Sequence, residues 1–278
     1  MRIYSLGALK SPYDKRDYKL NKLVKSTVDI SDKEYINNTP YVIFNQGTTS
    51  TCVGCSLAQG KHFIEYNQIN DNKQFSPTYI YGNRSMNDYK GEGMIPREAL
   101  KTLQKYGICH YEDLGGLYTF IKSRNLYENN KRELDTKAYP YRISSYYKLE
   151  TDDDIKRAIK TIGFAWVSYD IYDCMFNPKC GVVQYDENNL GQCEGGHQVL
   201  IIGFNEIGWV VLNSWGEEYS TIHSDKYGDK KGCAIIPYSY KPTEAWAIVD
   251  EITEKEISLK YGNRFMRIIN KIKNVFKK

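Results

Sequence analysis

No stretch of this 278-residue chain approaches the roughly 18 consecutive apolar residues that a membrane-spanning helix requires. The opening segment, Met1 to Lys10, has too short an apolar run for a secretory signal and soon meets Asp14 and Arg16. The expectation is a chain made in the cytoplasm without a cleavable signal. There is no internal repeat and no low-complexity linker, which excludes a solenoid or a tethered array. Histidine is scarce, at four residues (62, 110, 197 and 223), so imidazole chemistry has few candidates. An excess of one charge is also missing: the net charge is only +4. Residues 255–278 carry eight Lys/Arg against one acid, a local +7, which leaves the rest of the chain at −3. A mildly acidic body gives no reason to expect a nucleic-acid partner. The seven cysteines are an odd number and cannot all pair internally. Reduced thiols are expected, with Cys174–Cys180 and Cys193–Cys233 left open as pairings.

What is present is the material for a folded protein. Hydrophobic residues make up 41%, with 25 Tyr, 9 Phe and 4 Trp, and charged residues 26%. The bias toward Tyr, Asn, Lys and Ile suits an AT-rich genome, such as that of a phage or bacterium. Residues 1–36 read as an extended polar arm. A helix is expected from Cys52 through about Asn67, where apolar positions loosely follow helical spacing. Pro96 to Gly107 has Pro near its start and Gly at its end, and Asp152 to Gly163 has acids first and Gly last, both short-helix signatures. Beyond Gly163 the texture changes to strands: Phe164–Tyr169, Gln198–Phe204, Gly208–Asn213 and Gly232–Pro237. Helices first and strands second predict an α+β protein with a helical lobe and a sheet lobe.

The residues that could do chemistry converge on three segments. Cys52 stands where a loop becomes a helix, a position that lowers a thiol pKa and favours the nucleophilic thiolate. His197 follows Gly195-Gly196 and opens a strand, well placed to enter a cleft. Asn213 ends the apolar strand Trp209–Leu212, runs into Ser-Trp-Gly216, and needs a partner for its amide. Gln46 lies six residues before Cys52, in Asn-Gln-Gly.

This order resembles the papain family of cysteine peptidases: Gln-Gly, then Cys six residues after the Gln, much later Gly-His-x-Val, then Asn-Ser-Trp-Gly. The match spans roughly residues 37–250. His197 lies 145 residues after Cys52 and Asn213 lies 161 after it; the latter exceeds the family's usual spacing slightly, which an insertion around 174–192 explains. The resemblance implies a two-lobe fold with the active site in the cleft between a helical lobe (about 46–162) and an antiparallel sheet or barrel lobe (about 163–250). It implies Cys52 as nucleophile, His197 as base, Asn213 as the residue orienting the base, and Gln46 as an oxyanion donor. Trp215 is expected to shield the Asn213–His197 bond, and Tyr219 to flank the leaving-group side. Glu92 and Gly93 are expected to bond an extended substrate backbone, and Met94, Ala165, Gly195 and Gly196 to line the substrate pocket. No metal and no cofactor is implied. The sequence departs from the family at Val53, where an aromatic is usual, and at Thr49, where a disulfide cysteine is usual. Gly196 stands where plant members have an acid. Only 45 residues precede Gln46, fewer than the long inhibitory propeptide of secreted members.

The expected function is therefore a cysteine endopeptidase working through a thioester on peptide or protein substrates. Other readings stay open. Cys52-Val-Gly-Cys55 fits a redox or metal pair, although no second such motif exists. A papain-like scaffold can serve a structural or virion-associated role. The same acyl-transfer chemistry also serves transpeptidases, isopeptidases and cell-wall amidases. The tail 251–278 carries Tyr261, Phe265, Ile268, Ile272 and Val275 at helical spacing among basic residues. It reads as an amphipathic helix for an anionic membrane surface or a partner protein, or as one docked on its own domain.

Overall fold

The computed structural model describes residues 4–19, 28–85, 88 and 91–250. The basic helix expected over 251–278 lies outside the described residues.

The element order is β1 (Tyr35–Ile36), α1 (Cys52–Ile69), α2 (Pro77–Gly82), α3 (Pro96–Tyr106), α4 (Phe120–Asn129), α5 (Lys131–Ala138), β2 (Ser145–Lys148) and α6 (Asp152–Ile162). Then come β3 (Ala165–Ile171), β4 (Gly195–Phe204), β5 (Gly208–Leu212), β6 (Thr221–Ile222), β7 (Lys230–Lys231), β8 (Cys233–Pro237) and β9 (Glu244–Val249). Local chemistry explains the sharpest boundaries. Pro96 opens α3, where a missing N–H costs nothing, and Gly107 closes it at φ 83°. A capping box between Thr151 and Asp154 starts α6, three acids fill its first turn, and Gly163 ends it in the left-handed region at φ 105°.

The main sheet runs β2-β9-β3-β4-β5-β8, antiparallel throughout, with β1 added on β4. One face packs on the helical lobe through Trp166, Leu200, Leu212 and Trp246, joined to Val53, Leu57 and Phe63 of α1. The other face buries Val167, Val199, Val211 and Ala245 under Ile155 and Ile159 of α6. Helix α1 thus lies between the helical lobe and the sheet, buried at every position from Cys52 to Glu65. Burial on all sides is why its apolar pattern only loosely follows a helical stripe. Even Lys61 of α1 is fully buried, paired with Glu65 at 2.7 Å and with Asp250 just past β9, so the end of the sheet is tied to the central helix.

Candidate active site

Cys52 is the first residue of α1 and has no exposed surface. The backbone N–H groups of Gln198, Gly7, Val53 and Cys52 itself lie at its sulfur. Across from it, β4 carries His197, register partner of Tyr169 on β3. Its Nε2 donates to Asn213 Oδ1 at 2.7 Å, and Nδ1 makes no hydrogen bond. Asn213 is fixed directly after β5, where its N–H donates to Gly232 O at 3.0 Å. Trp215 stacks on the imidazole with ring centroids 4.6 Å apart and planes 23° apart, and His197 and Asn213 are both fully buried. The remaining histidines stand elsewhere: His62 bridges the carbonyls of Lys73 and Pro40, His110 bonds the Tyr141 hydroxyl, and His223 pairs with Asp229. All seven cysteines are free thiols, so neither pairing left open by the sequence forms. Cys55 is buried in the core with its sulfur 3.7 Å from Thr51 Oγ1.

Several expected neighbours take different places. Tyr219 packs edge-on against Trp215 at 5.1 Å and its hydroxyl donates to Met175 O at 2.8 Å, so that hydroxyl is already taken within the fold. The Glu92 carboxylate accepts the Tyr81 hydroxyl and the N–H of Phe120, the first residue of α4, where the helix N-terminus favours a negative charge. Gly93 donates its N–H to the Tyr81 hydroxyl at 2.7 Å, and its carbonyl accepts from the buried Arg84 guanidinium. Both its backbone groups are therefore taken. Met94, the next residue, is the one that offers backbone bonds to an extended chain. Ala165 packs in the core on the opposite face of the sheet and lines no pocket.

That extended chain is the protein's own N-terminal arm. Tyr4 stacks on Trp215 at 4.9 Å with planes 8° apart. Gln46 Nε2 donates to Ser5 O at 2.7 Å and to Thr49 O at 2.9 Å, while Gln46 Oε1 accepts the Ser214 hydroxyl. The N–H groups of Gly7 and Ala8 donate to Gly196 O, beside His197, and Leu6 rests on Gly195. Met94 N–H donates to Gly7 O and Leu9 N–H to Met94 O, which makes Ala8 and Met94 a parallel bridge. Downstream, Asp17 pairs with Arg97 at 3.0 Å and Tyr18 O accepts the Lys148 N–H. Residues 4–9 therefore run along the site from Trp215 to Met94. The sequence offers only a small-residue pair, Gly7-Ala8, as a signal of this.

Burial beneath the arm reverses the expected electrostatics. Desolvation pushes the Cys52 thiol up to about 11, against the pull of the surrounding N–H groups. It also pushes His197 down to about 4, against the hydrogen bond to Asn213 that favours the charged ring. The thiol of the closed state is therefore protonated and the imidazole neutral, in place of the lowered thiol pKa expected from the helix N-terminus alone.

A helical lobe and an antiparallel sheet meeting at this cysteine and histidine make up the papain-like fold. The family described as papain family cysteine protease matches residues 24–234, and the chain belongs to that family. Among solved structures it is similar to xylellain, a cysteine protease from Xylella fastidiosa, at 19% identity and a TM-score of 0.73, covering 91% of this chain and 99% of that one. Procathepsin L 3 of the Tenebrio molitor larval midgut shares 16% identity with a TM-score of 0.62, over 84% of this chain and 76% of that one. The Carica candamarcensis cysteine protease CMS1MS2, solved in complex with E-64, shares 13% with a TM-score of 0.59, over 80% and 100%. No curated protein sequence gives a match.

Proposed function

We propose that this cysteine protease cleaves peptide bonds through a Cys52–His197–Asn213 triad and a thioester intermediate, and that the described state is a closed one with the arm in the cleft. The observation that carries the reading is the imidazole. Nε2 is tied to Asn213 and Nδ1 is unbonded, on the ring adjacent to the residue whose N–H lies at the Cys52 sulfur. With substrate in place of the arm, Nδ1 takes the thiol proton and Cys52 Sγ attacks the scissile carbonyl carbon. The oxyanion is held by Gln46 Nε2 and the Cys52 N–H. The position of Ser5 O, a peptide carbonyl already bonded to Gln46 Nε2, supports that role. Collapse breaks the C–N bond, His197 returns the proton to the leaving amine, and a thioester remains. His197 then deprotonates a water that attacks the thioester, and the acid and the thiol are released.

An epoxide inhibitor of the E-64 kind, followed by mass mapping, tests the assignment. The adduct should fall on Cys52 ahead of the other six thiols. An unmodified Cys52 beside modified Cys180 and Cys193, the two exposed thiols, overturns it.

Gln46 offers a second check. The sequence gives no packing reason for a glutamine in its polar loop and predicts an unchanged stability for Gln46→Ala. The structure corrects that expectation: Gln46 is 2% exposed and makes three side-chain hydrogen bonds. Gln46→Ala should lower kcat by about 10²- to 10³-fold with little change in KM. It should also lower Tm, since each lost hydrogen bond contributes about 1 kcal/mol. A loss of Tm alone, with kcat per folded molecule unchanged, assigns Gln46 a purely structural role.

A further inference from the structure

Helix α1 carries a second thiol that the proposed mechanism does not use. Cys55 follows Cys52 by three residues, so the two share one face of the helix. Both are fully buried in the same apolar cluster, beside Val53 and Leu57. Helical side chains lean back toward the N-terminus, and Cys55 does so: its sulfur lies 3.7 Å from Thr51 Oγ1, the hydroxyl of the residue before Cys52. The remaining cysteines, at 109, 174, 180, 193 and 233, stand outside α1.

The spacing suits a bond between the pair. A rise of about 1.5 Å and about 3.6 residues per turn put Cα atoms three apart at about 5 Å. That falls inside the range of roughly 4.4–6.8 Å that a disulfide spans. The Cβ atoms, about 5–6 Å apart in a regular helix, have to close to about 4 Å. The helix end allows this movement. Cys52 is the first residue of α1, its N-cap Thr51 makes no side-chain capping bond, and terminal turns tighten readily to 3₁₀ geometry.

The two thiols differ in reactivity. Once the arm leaves, Cys52 has the helix N-terminus and the N–H groups of Val53 and Cys52 itself to favour its thiolate. Cys55 stays in the core, where burial pushes its thiol up against the opposing pull of the Thr51 hydroxyl. A reactive sulfur beside a second, less reactive one is the arrangement of a sensor cysteine and its resolving partner.

We propose that Cys55 is the resolving thiol of Cys52, and that a hydroperoxide converts the pair reversibly into a Cys52–Cys55 disulfide. The proposal rests on the peptidase reading above, which makes Cys52 the reactive thiolate, and adds oxidative control of that site. Cys52 Sγ attacks the terminal peroxide oxygen, the O–O bond breaks, the departing oxygen takes a proton, and Cys52 becomes a sulfenic acid. Cys55 Sγ then attacks the Cys52 sulfur. The S–S bond forms, the S–O bond breaks, and the hydroxyl leaves as water with the Cys55 proton. Together the two sulfurs lose two electrons, and the peroxide gains them. A dithiol restores both thiols by exchange. While the bond lasts, Cys52 cannot attack a substrate, and it is also kept from the irreversible sulfinic acid.

The test begins with the reduced full chain, in which an epoxide of the E-64 kind is first shown to capture Cys52. A second sample is treated with excess hydrogen peroxide, its free thiols are alkylated in denaturant, and the unreduced peptides are mapped by mass. Cys52 and Cys55 should both resist alkylation, in a peptide two hydrogens lighter than the reduced one. Epoxide capture should be lost on oxidation and largely regained with dithiothreitol. Cys55→Ala leaves every group of the mechanism in place, so its capture before oxidation should match the wild type. After oxidation, dithiothreitol should restore only about a tenth as much capture in Cys55→Ala, because its Cys52 proceeds to the sulfinic acid. An unoxidised Cys52, a wild-type sulfinic acid at Cys52 beside an alkylated Cys55, or equal recovery in the variant overturns this inference and leaves the nucleophile standing. Should the variant not fold, the wild-type peptide map decides alone. No capture of Cys52 by the epoxide in the reduced chain overturns the peptidase reading, and this one with it.

Discussion

Cys52→Ala and His197→Ala should each reduce peptide cleavage by at least about 10⁴-fold in kcat, with the folded state retained. The expectation follows from the division of labour at the site. In the proposed mechanism sulfur forms the bond to the acyl group and the imidazole moves the proton at every step, so neither loss would be compensated. Asn213→Ala behaves differently, because Asn213 Oδ1 touches only the far nitrogen of the ring, at 2.7 Å, and holds its orientation. In a comparable triad the orienting residue costs about 10²-fold less than the nucleophile, so Asn213→Ala retains measurable turnover. Trp215, stacked on the ring, keeps part of the orientation in that variant. Steady-state kinetics on purified variants, with Tm measured alongside, checks the series. Asn213→Ala matching the wild type with a good substrate reduces the triad to a dyad. Wild-type rates in Cys52→Ala remove the mechanism altogether.

The sequence marks the junctions that the fold brings together better than it marks the architecture around them. Cys52, His197 and Asn213 were legible because each sits at a junction of elements with its own signal: a loop entering a helix, a Gly-Gly entering a strand, a strand ending at Asn-Ser-Trp-Gly. Helices α3 and α6 are legible to within a residue because Pro96, Gly107, the Asp152–Asp154 run and Gly163 mark their ends chemically. Helix α2 was missed, since six residues are too few to show a period. Strand β9 was missed because its even positions, Glu244, Trp246 and Ile248, mix a charge into the cleft-facing row. The sequence shows the arm as extended but not as an occupant of the cleft. Its grip on the cleft is largely main chain to main chain, through Gly7, Ala8, Leu9, Gly196 and Met94. Such bonds leave no side-chain signature in the sequence.

Displacing the arm should give the largest gain of function available in this chain, and Gly7→Val is the means. A Cβ built on Gly7 falls 2.1 Å from the Ser50 carbonyl oxygen, a backbone atom with no freedom to move aside, so any side chain at position 7 expels the segment. The hydrogen bonds lost are those of Gly7 and Ala8 to Gly196 and those of Met94 to Gly7 and Leu9. At about 1 kcal/mol each, even two or three unrecovered bonds shift the closed–open equilibrium by about 30- to 150-fold. Epoxide capture of Cys52 and peptide cleavage should both accelerate by that order, while Asp17–Arg97 and Tyr18–Lys148 keep the downstream arm seated. The arm is also not a substrate in its present pose. Tyr4 lies on Trp215, toward the leaving-group side, and Leu9 lies on Met94, toward the acyl side, so its polarity opposes that of a cleavable peptide. The pH dependence follows from the two buried groups. Opening returns His197 from about 4 toward its ordinary 6.5, so the open state binds a proton more readily, and closure weakens as pH falls from about 6.5 toward 4. Opening returns Cys52 from about 11 toward 9.0, so the open state releases a proton more readily, and closure weakens again as pH rises from about 9 toward 11. The advantage of Gly7→Val over the wild type is therefore greatest between about pH 6.5 and 9 and narrows on either side. Capture rates measured for both proteins across that range decide the matter. Equal rates at neutral pH mean that the arm does not obstruct the cleft in solution, and a ratio independent of pH means that it does not desolvate Cys52 and His197.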